Sequence, residues 1–276
     1  MNKKNIKSDN TSPCENAGMC NLGNATVCLG NAQHQGKRDY QEDSFGFSDT
    51  SSDITLKKGV LAVVADGMGG LTNGKQVSSQ VVSSLLEWFN SENSICNNSL
   101  DIKNAVTHIN ADICRTFCVN GRVTSGSTIV TAFIKNGTLS WLCVGDSRIY
   151  LKRGGRLYQL NEDHDLLNNL LDLYINGEYS LGEAFSDPQR EGLVSCIGKA
   201  HIDFYDLNKK TFPLCDNDII ILCSDGVYNS LTSEEFNELI TPDAMKTASD
   251  IRDTVLTKNF INQDNLTVLA MTYKKA

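Results

Sequence analysis

Two apolar runs in this chain end alike: Val60–Ala65 leads into Asp66-Gly67, and residues 219–224 lead into Asp225-Gly226. Short apolar runs bounded by turn residues read as buried strands, so each of these delivers an aspartate to its end. A third run, 139–144, leads into Gly145-Asp146, and Asp264-Asn265 stands immediately before a last run, 266–271. Glu42-Asp43 lies directly before another strand candidate. Asp-Gly taken singly is a common turn dipeptide. Its repetition implies a fold whose strands carry carboxylates to their ends.

Alternation and length place strand candidates at 25–30, 43–48, 60–65, 127–134, 138–144, 147–152, 157–160, 202–207, 217–223 and 266–273. Most are joined by turns. Helical spacing links Val77, Val81, Val82, Leu85, Leu86 and Phe89, then Ile102, Val106, Ile109, Ile113 and Phe117. Two further helices are expected at about 233–240 and 243–259. Turn-linked strands with two pairs of one-faced helices predict an α+β fold. Two packed, mostly antiparallel sheets would be flanked by helix pairs, a four-layer αββα sandwich. Residues of about 165–200 mix a helical start with Gly177, Gly182, Pro188 and Gly192 and read as an inserted flap. Residues 1–24 carry too little apolar surface to offset the entropy of ordering and read as a mobile polar leader. Residues 25–276 then form one domain with one large core.

The 40% apolar and 21% charged composition is ordinary for a globular protein. A net charge of −8 with no basic patch argues against a nucleic-acid partner. No apolar run approaches the roughly 20 residues that cross a bilayer, and polar residues follow Lys3 and Lys4 where a signal peptide would be apolar. A cytoplasmic monomer with no membrane partner is expected. The ten cysteines are spread along the chain without a C-x-x-C pair, so they read as reduced thiols. Cys143, Cys215 and Cys223 lie in or beside apolar runs and are assigned to core packing. Cys14, Cys20 and Cys28, in or beside the leader, match no zinc spacing. His34, His108, His164 and His201 are too scattered for a helix-borne zinc motif.

Carboxylates gathered at the ends of neighbouring sheets repel one another unless cations lie between them. Oxygen-only donors favour magnesium, manganese or calcium. Two such ions about 3.5–4 Å apart can share a water, lower its pKa and direct it at phosphorus. Arg38, four residues before Glu42, has the planar fork that matches phosphate oxygens.

Arg38-Asp39-Tyr40-Gln41-Glu42-Asp43-Ser44, Asp66-Gly67-Met68-Gly69-Gly70, Gly126-Ser127-Thr128, Val144-Gly145-Asp146-Ser147-Arg148-Ile149-Tyr150, Cys223-Ser224-Asp225-Gly226 and Asp264-Asn265-Leu266-Thr267 resemble, in order, the motifs of the metal-dependent protein phosphatases of type 2C, in their bacterial form. The resemblance runs from about residue 25 to the C-terminus. It implies hydrolysis of phosphoserine and phosphothreonine on proteins, the targets of a serine/threonine kinase, with two tightly held Mn2+ or Mg2+ ions. By position it implies that Asp66 bridges both ions, with Asp225 and Asp264 on the first, and Glu42 and the Gly67 carbonyl on the second. Asp146, with Asp225, would hold a weaker third ion. Asp43 would hydrogen-bond water on the metals, Arg38 would clamp the substrate phosphate, and Asn265 would orient Asp264. Asp163-His164 matches a pair expected to be structural. Gln41, Ser127 and Asn161 are mild departures from the pattern. Met68 stands where eukaryotic members carry a histidine proposed as general acid, so leaving-group protonation must come from elsewhere.

Three rival readings compete with this one. Gly69, Gly74 and Lys75 fit a P-loop pattern, but Gln76 replaces its magnesium-binding Ser or Thr. A cysteine-based phosphatase needs Arg six positions after its nucleophile, and no cysteine here has one. A catalytically dead phosphoprotein-binding relative is the non-enzyme alternative, opposed by the presence of every carboxylate in the motif set.

Overall fold

The structure is a computed structural model that describes residues 18–68, 73–119 and 122–276. Its plan follows from strands buried on both faces. Val60, Ala62 and Val64 face one core, while Leu61, Val63 and Ala65 face another. The strand Asp218–Cys223 divides likewise, with Ile220 and Leu222 on one side and Ile219, Ile221 and Cys223 on the other. Each of these faces must be covered, and fully burying one Val, Leu or Ile contributes about 1.5–3 kcal/mol.

The shared core lies between two antiparallel sheets, each six-stranded. The first runs Gly18–Asn21, Ala25–His34, Leu266–Lys275, Asp218–Cys223, Arg148–Arg153, Arg156–Gln159. The second runs Asp206–Leu207, Thr138–Val144, Ile129–Lys135, Val60–Ala65, Ser44–Phe47, with Phe212–Pro213 also paired to Thr138–Val144. Helices Asn73–Asn90 and Ser99–Phe117 cover the outer face of the second sheet through Val77, Val81, Leu85, Ile102, Val106 and Ile113. Helices Ser233–Leu239 and Ala244–Thr257 cover the first through Phe236, Ala248, Ile251 and Val255. The expected four-layer sandwich is the fold.

Register decides which strand ends meet. Ser44 pairs with Ala65, Val64 with Val130, and Ile129 with Val144, so the starts of two strands and the ends of two others meet at one end of the second sheet. In the first sheet Cys223 pairs with Val268, which sets the end of Asp218–Cys223 beside the start of Leu266–Lys275.

Some elements depart from expectation. Gly18–Asn21 falls within the stretch read as leader, yet it pairs with Ala25–His34, and Cys20 is buried in the inter-sheet core. One inward thiol and an edge ladder suffice where apolar periodicity is absent. Residues 1–17, with Cys14, lie outside the described residues, as do Gly69 and Gly70. The strand expected at 202–207 shrinks to Asp206–Leu207. Cys143 and Cys223 are core residues, but Cys215 is exposed at the turn before Asp218. Among the described residues no helix is long and apolar enough to cross a membrane.

The flap region carries two short helices. Leu166–Ile175 starts at the Asp165 cap, and Leu181–Ser186 at a Ser180/Glu183 capping box. One foot of the flap is tied to the Gly145-Asp146 loop and the other to Ser127, which pairs with Gly67 next to Asp66. His164 N–H donates to the Gly145 carbonyl at 3.0 Å, and Ser127 and Ile197 exchange backbone hydrogen bonds of 3.0 and 2.8 Å.

Candidate active site

The strand ends bring Asp43, Asp66, Asp146, Asp225 and Asp264 into one electrostatic cluster. Burial first, then the charges of Asp43, Asp225, Asp146 and Asp264, raise the Asp66 carboxyl well above its ordinary range. Asp225 lies within hydrogen-bond reach of Asp66 and is pushed up to about 6 by burial and by Asp264. Burial and Asp225 push Asp146 up to about 7. Glu42 is raised by burial and by Asp264. Like charges this close favour the protonated form unless a cation joins them.

Backbone and hydroxyl groups fix the aspartates. Asp66 N–H donates to Thr128 Oγ1 at 2.9 Å, and the Asp66 carbonyl accepts from Thr128 N–H at 2.8 Å. Ser127 Oγ lies 3.0 Å from the same carbonyl, so the Ser in place of Thr keeps its hydroxyl at work. Asp225 opens the helix Asp225–Tyr228 after the Ser224 cap. A Cβ on Gly226 would collide with the Asn265 carbonyl, so glycine lets the loops of Asp225 and Asp264 touch.

Asp43 is 4% exposed and sits deepest. Its Oδ2 accepts from Ser224 Oγ and Thr267 Oγ1, both at 2.7 Å, while Oδ1 is buried without a partner. Burial, followed by Asp225 and Asp264, pushes its carboxyl up to about 7. Ser224 and Thr267 carry no local signal of this role, although each lies in a motif with a site aspartate.

Asn265 does more than expected. Its backbone N–H donates to Asp264 Oδ1 at 2.8 Å. Its side chain clamps the neighbouring loop: Oδ1 accepts from Glu42 N–H at 2.7 Å, and Nδ2 donates to the Gln35 and Tyr40 carbonyls at 2.8 and 2.9 Å. Arg38 Nη2 pairs with Asp264 Oδ2 at 2.5 Å.

Behind Asp146, the Arg148 guanidinium grips Asp163 with Nε and Nη2 and lies 3.5 Å over the Tyr228 ring. The Tyr228 hydroxyl donates to the Asp146 carbonyl at 3.1 Å. His164 Nδ1 accepts from Gly145 N–H at 3.1 Å. Asp163 and His164 thus brace the Gly145-Asp146 loop, as a structural pair should.

Among the described residues no group of three or more His, Cys, Asp or Glu side chains stands as a ready-made cation site. Arg38 holds Asp264 in its place. The donor set still fits hard divalent ions: it is all oxygen, it is mutually repulsive, and the orphaned Asp43 Oδ1 beside it lacks a hydrogen-bond donor that a water on such ions would supply. The P-loop alternative fits poorly, because a Cβ on Gly74 would lie 2.5 Å from Glu42 Oε1. A carboxylate already faces the start of that helix where a phosphate would have to sit.

The four-layer αββα sandwich with carboxylates converging at one end is the architecture of the metal-dependent protein phosphatases. The chain belongs to the protein phosphatase 2C family, whose sequence pattern matches residues 32–260. It is 28% identical over 244 residues to the serine/threonine phosphatase stp of Listeria monocytogenes, covering 84% of this chain and 90% of that one. The serine/threonine phosphatase PstP/Ppp of Mycobacterium tuberculosis superposes with a TM-score of 0.73 at 25% identity, over 91% of this chain and 99% of its own. A PstP catalytic domain in complex with two manganese ions superposes with a TM-score of 0.71 at 23% identity, over 91% and 100%.

Proposed function

We infer that this protein removes phosphate from phosphoserine and phosphothreonine in proteins, with two divalent ions held by the carboxylate cluster. The observation that carries the reading is the set of buried, mutually repelling carboxylates at the shared sheet ends. In the proposed assignment Asp66, Asp225, Asp264, Glu42 and the Gly67 carbonyl would hold the two ions, and Asp146 with Asp225 would hold a weaker third. When bound, such ions supply a water of lowered pKa and offset the charge of the phosphoryl group.

The chain's own groups do the rest. Arg38 exchanges its single Nη2 contact with Asp264 Oδ2 for phosphate oxygens, which its fork geometry matches in pairs. Asp43, anchored through Oδ2, offers Oδ1 to the attacking water. Asn265 keeps Glu42 and Asp264 in fixed relation, and Ser127 and Thr128 do the same for Asp66. Met68 cannot donate a proton, so the leaving oxygen is protonated by solvent or through the Asp146 side of the site. The same reading places the protein in the cytoplasm as a monomer, using Mn2+ or Mg2+ to reverse the work of a serine/threonine kinase.

The test is hydrolysis of p-nitrophenyl phosphate and a phosphothreonine peptide with Mn2+ or Mg2+. EDTA should abolish it. Full activity in metal-free buffer would end the proposal, and binding without turnover would favour the phosphoprotein-binding alternative.

A further inference from the structure

The first two turns of the helix Asn73–Asn90 press on the loop that presents Glu42. Gly74 and Ser78 stand four residues apart, so they share one face of that helix, and both are buried. Val77, Val81 and Leu85 are fixed in the core over the second sheet, which sets where this face lies.

Two of the proposed ion donors meet there. A Cβ on Gly74 would lie 2.5 Å from Glu42 Oε1 and 3.0 Å from the Gly67 carbonyl carbon, and one on Gly67 would lie 2.3 Å from the Gly74 carbonyl oxygen. Only a pair of glycines lets the helix close onto both groups. Ser78 Oγ donates to the Glu42 carbonyl, which also accepts from Gly67 N–H at 3.2 Å. Ser78 has one proton to give, so the Ser44 hydroxyl, 2.9 Å away, donates to Ser78 in turn. From the other side Asn265 Oδ1 accepts from Glu42 N–H. Glu42 is thus held by its amide and its carbonyl, while its carboxylate stands against a residue that has no side chain.

We propose, resting on the phosphatase reading above, that Gly74 and Ser78 are positioning residues that set the place of Glu42 and the Gly67 carbonyl, and thereby how tightly the carboxylate cluster holds its divalent ions. They act by different routes. Ser78 works through the Glu42 main chain, and Gly74 by leaving room for the Glu42 carboxylate. Outer groups that orient ion donors typically contribute roughly ten- to hundred-fold in affinity. The Gly74-Lys75 step resembles a phosphate loop in sequence because both put glycine where a helix start closely approaches a charged group.

The experiment titrates manganese calorimetrically into the full chain after EDTA stripping and dialysis. Thermal unfolding in EDTA and phosphothreonine-peptide hydrolysis at rising manganese accompany it. Ser78→Ala and Gly74→Ala should each weaken manganese binding about ten-fold or more, and their loss of turnover should shrink as manganese rises. Alanine is the better helix former and the displaced Oε1 ends a flexible side chain, so Gly74→Ala should fold; if it does not, Ser78→Ala decides alone. Ser79→Ala, on the exposed side of the same turn, should change neither affinity nor turnover. Folded variants that bind manganese as tightly as the unmodified protein overturn the inference, even if they melt earlier, because that pattern is purely structural. An equal loss in Ser79→Ala overturns it too. An unmodified protein that binds no manganese overturns the phosphatase reading, and this inference with it.

Discussion

Replacing Asp43 by Asn measures how far the carboxylate cluster strains the fold when no cation is present. The carboxyl is pushed from its ordinary 3.8 up to about 7 by burial and by Asp225 and Asp264. At 1.36 kcal/mol per pKa unit, ionised Asp43 costs the metal-free fold on the order of 4 kcal/mol at pH 8, part of it shared with its neighbours. The folded state binds this proton more tightly than the unfolded state does. The stabilising effect of the bound proton is therefore full near pH 4 and is lost as the pH rises through about 7. An amide keeps an oxygen for Ser224 and Thr267 and turns an uncharged NH2 toward the acidic neighbours. In EDTA at pH 8, Asp43→Asn should gain about 2–4 kcal/mol, roughly 4–8 °C in Tm. At pH 5 the gain should shrink to about half or less. Its manganese-dependent turnover should nonetheless collapse. Thermal and urea unfolding at both pH values decide the matter. A variant that is destabilised at pH 8, or changed equally at both, would refute the account of the cluster as mutually repelling carboxylates.

Asp66→Asn should lose tight metal binding and turnover together, whereas Asp146→Asn should keep tight binding and lose at least about ten-fold in turnover, as expected for a proton-transfer role. Calorimetric metal titration beside phosphopeptide kinetics separates them, and unchanged Asp146→Asn turnover at saturating manganese removes the third-ion role. Asn265→Ala leaves Glu42 N–H and two carbonyls without their partner, so urea unfolding should report a loss of about 2–4 kcal/mol. A neutral result would show that the loop holds without the clamp. Cys215→Ser, at an exposed site, should change stability by less than about 0.5 kcal/mol, and replacing every cysteine should leave metal-dependent turnover in the soluble fraction. Loss of turnover in a folded, metal-loaded variant would point to a thiol in the chemistry.

The sequence was most legible where burial is symmetric. Val60–Ala65 and Thr138–Val144 emerge with their expected bounds because strongly apolar stretches stop at Asp66 and Gly145. Helices Asn73–Asn90 and Ser99–Phe117 follow their apolar stripes. Short elements were lost: Asp53–Lys58 has one buried residue, and Leu181–Ser186 shows only the Ser180/Glu183 cap as a signal. The candidate site divides in the same way. Aspartates at strand ends are visible one by one, since a turn dipeptide marks each. Arg38 on Asp264, and Asp43 on Ser224 and Thr267, are pairings that depend on sheet register and leave no local trace.

The Leu266–Lys275 strand lies between Ala25–His34 and Asp218–Cys223, so the first sheet cannot close until residues far apart in the chain have met. Contacts of such long range slow folding, because loop-closure entropy must be met before pairing rewards it. During synthesis, Arg38 and Glu42 emerge more than two hundred residues ahead of Asp264 and Asn265, the residues that position them. A nascent chain stopped before residue 264 would expose two unpaired strand edges, an aggregation hazard, and would lack the clamp on its acidic loop. The site is assembled last, and a partly made phosphatase stays silent until its final strand is laid down.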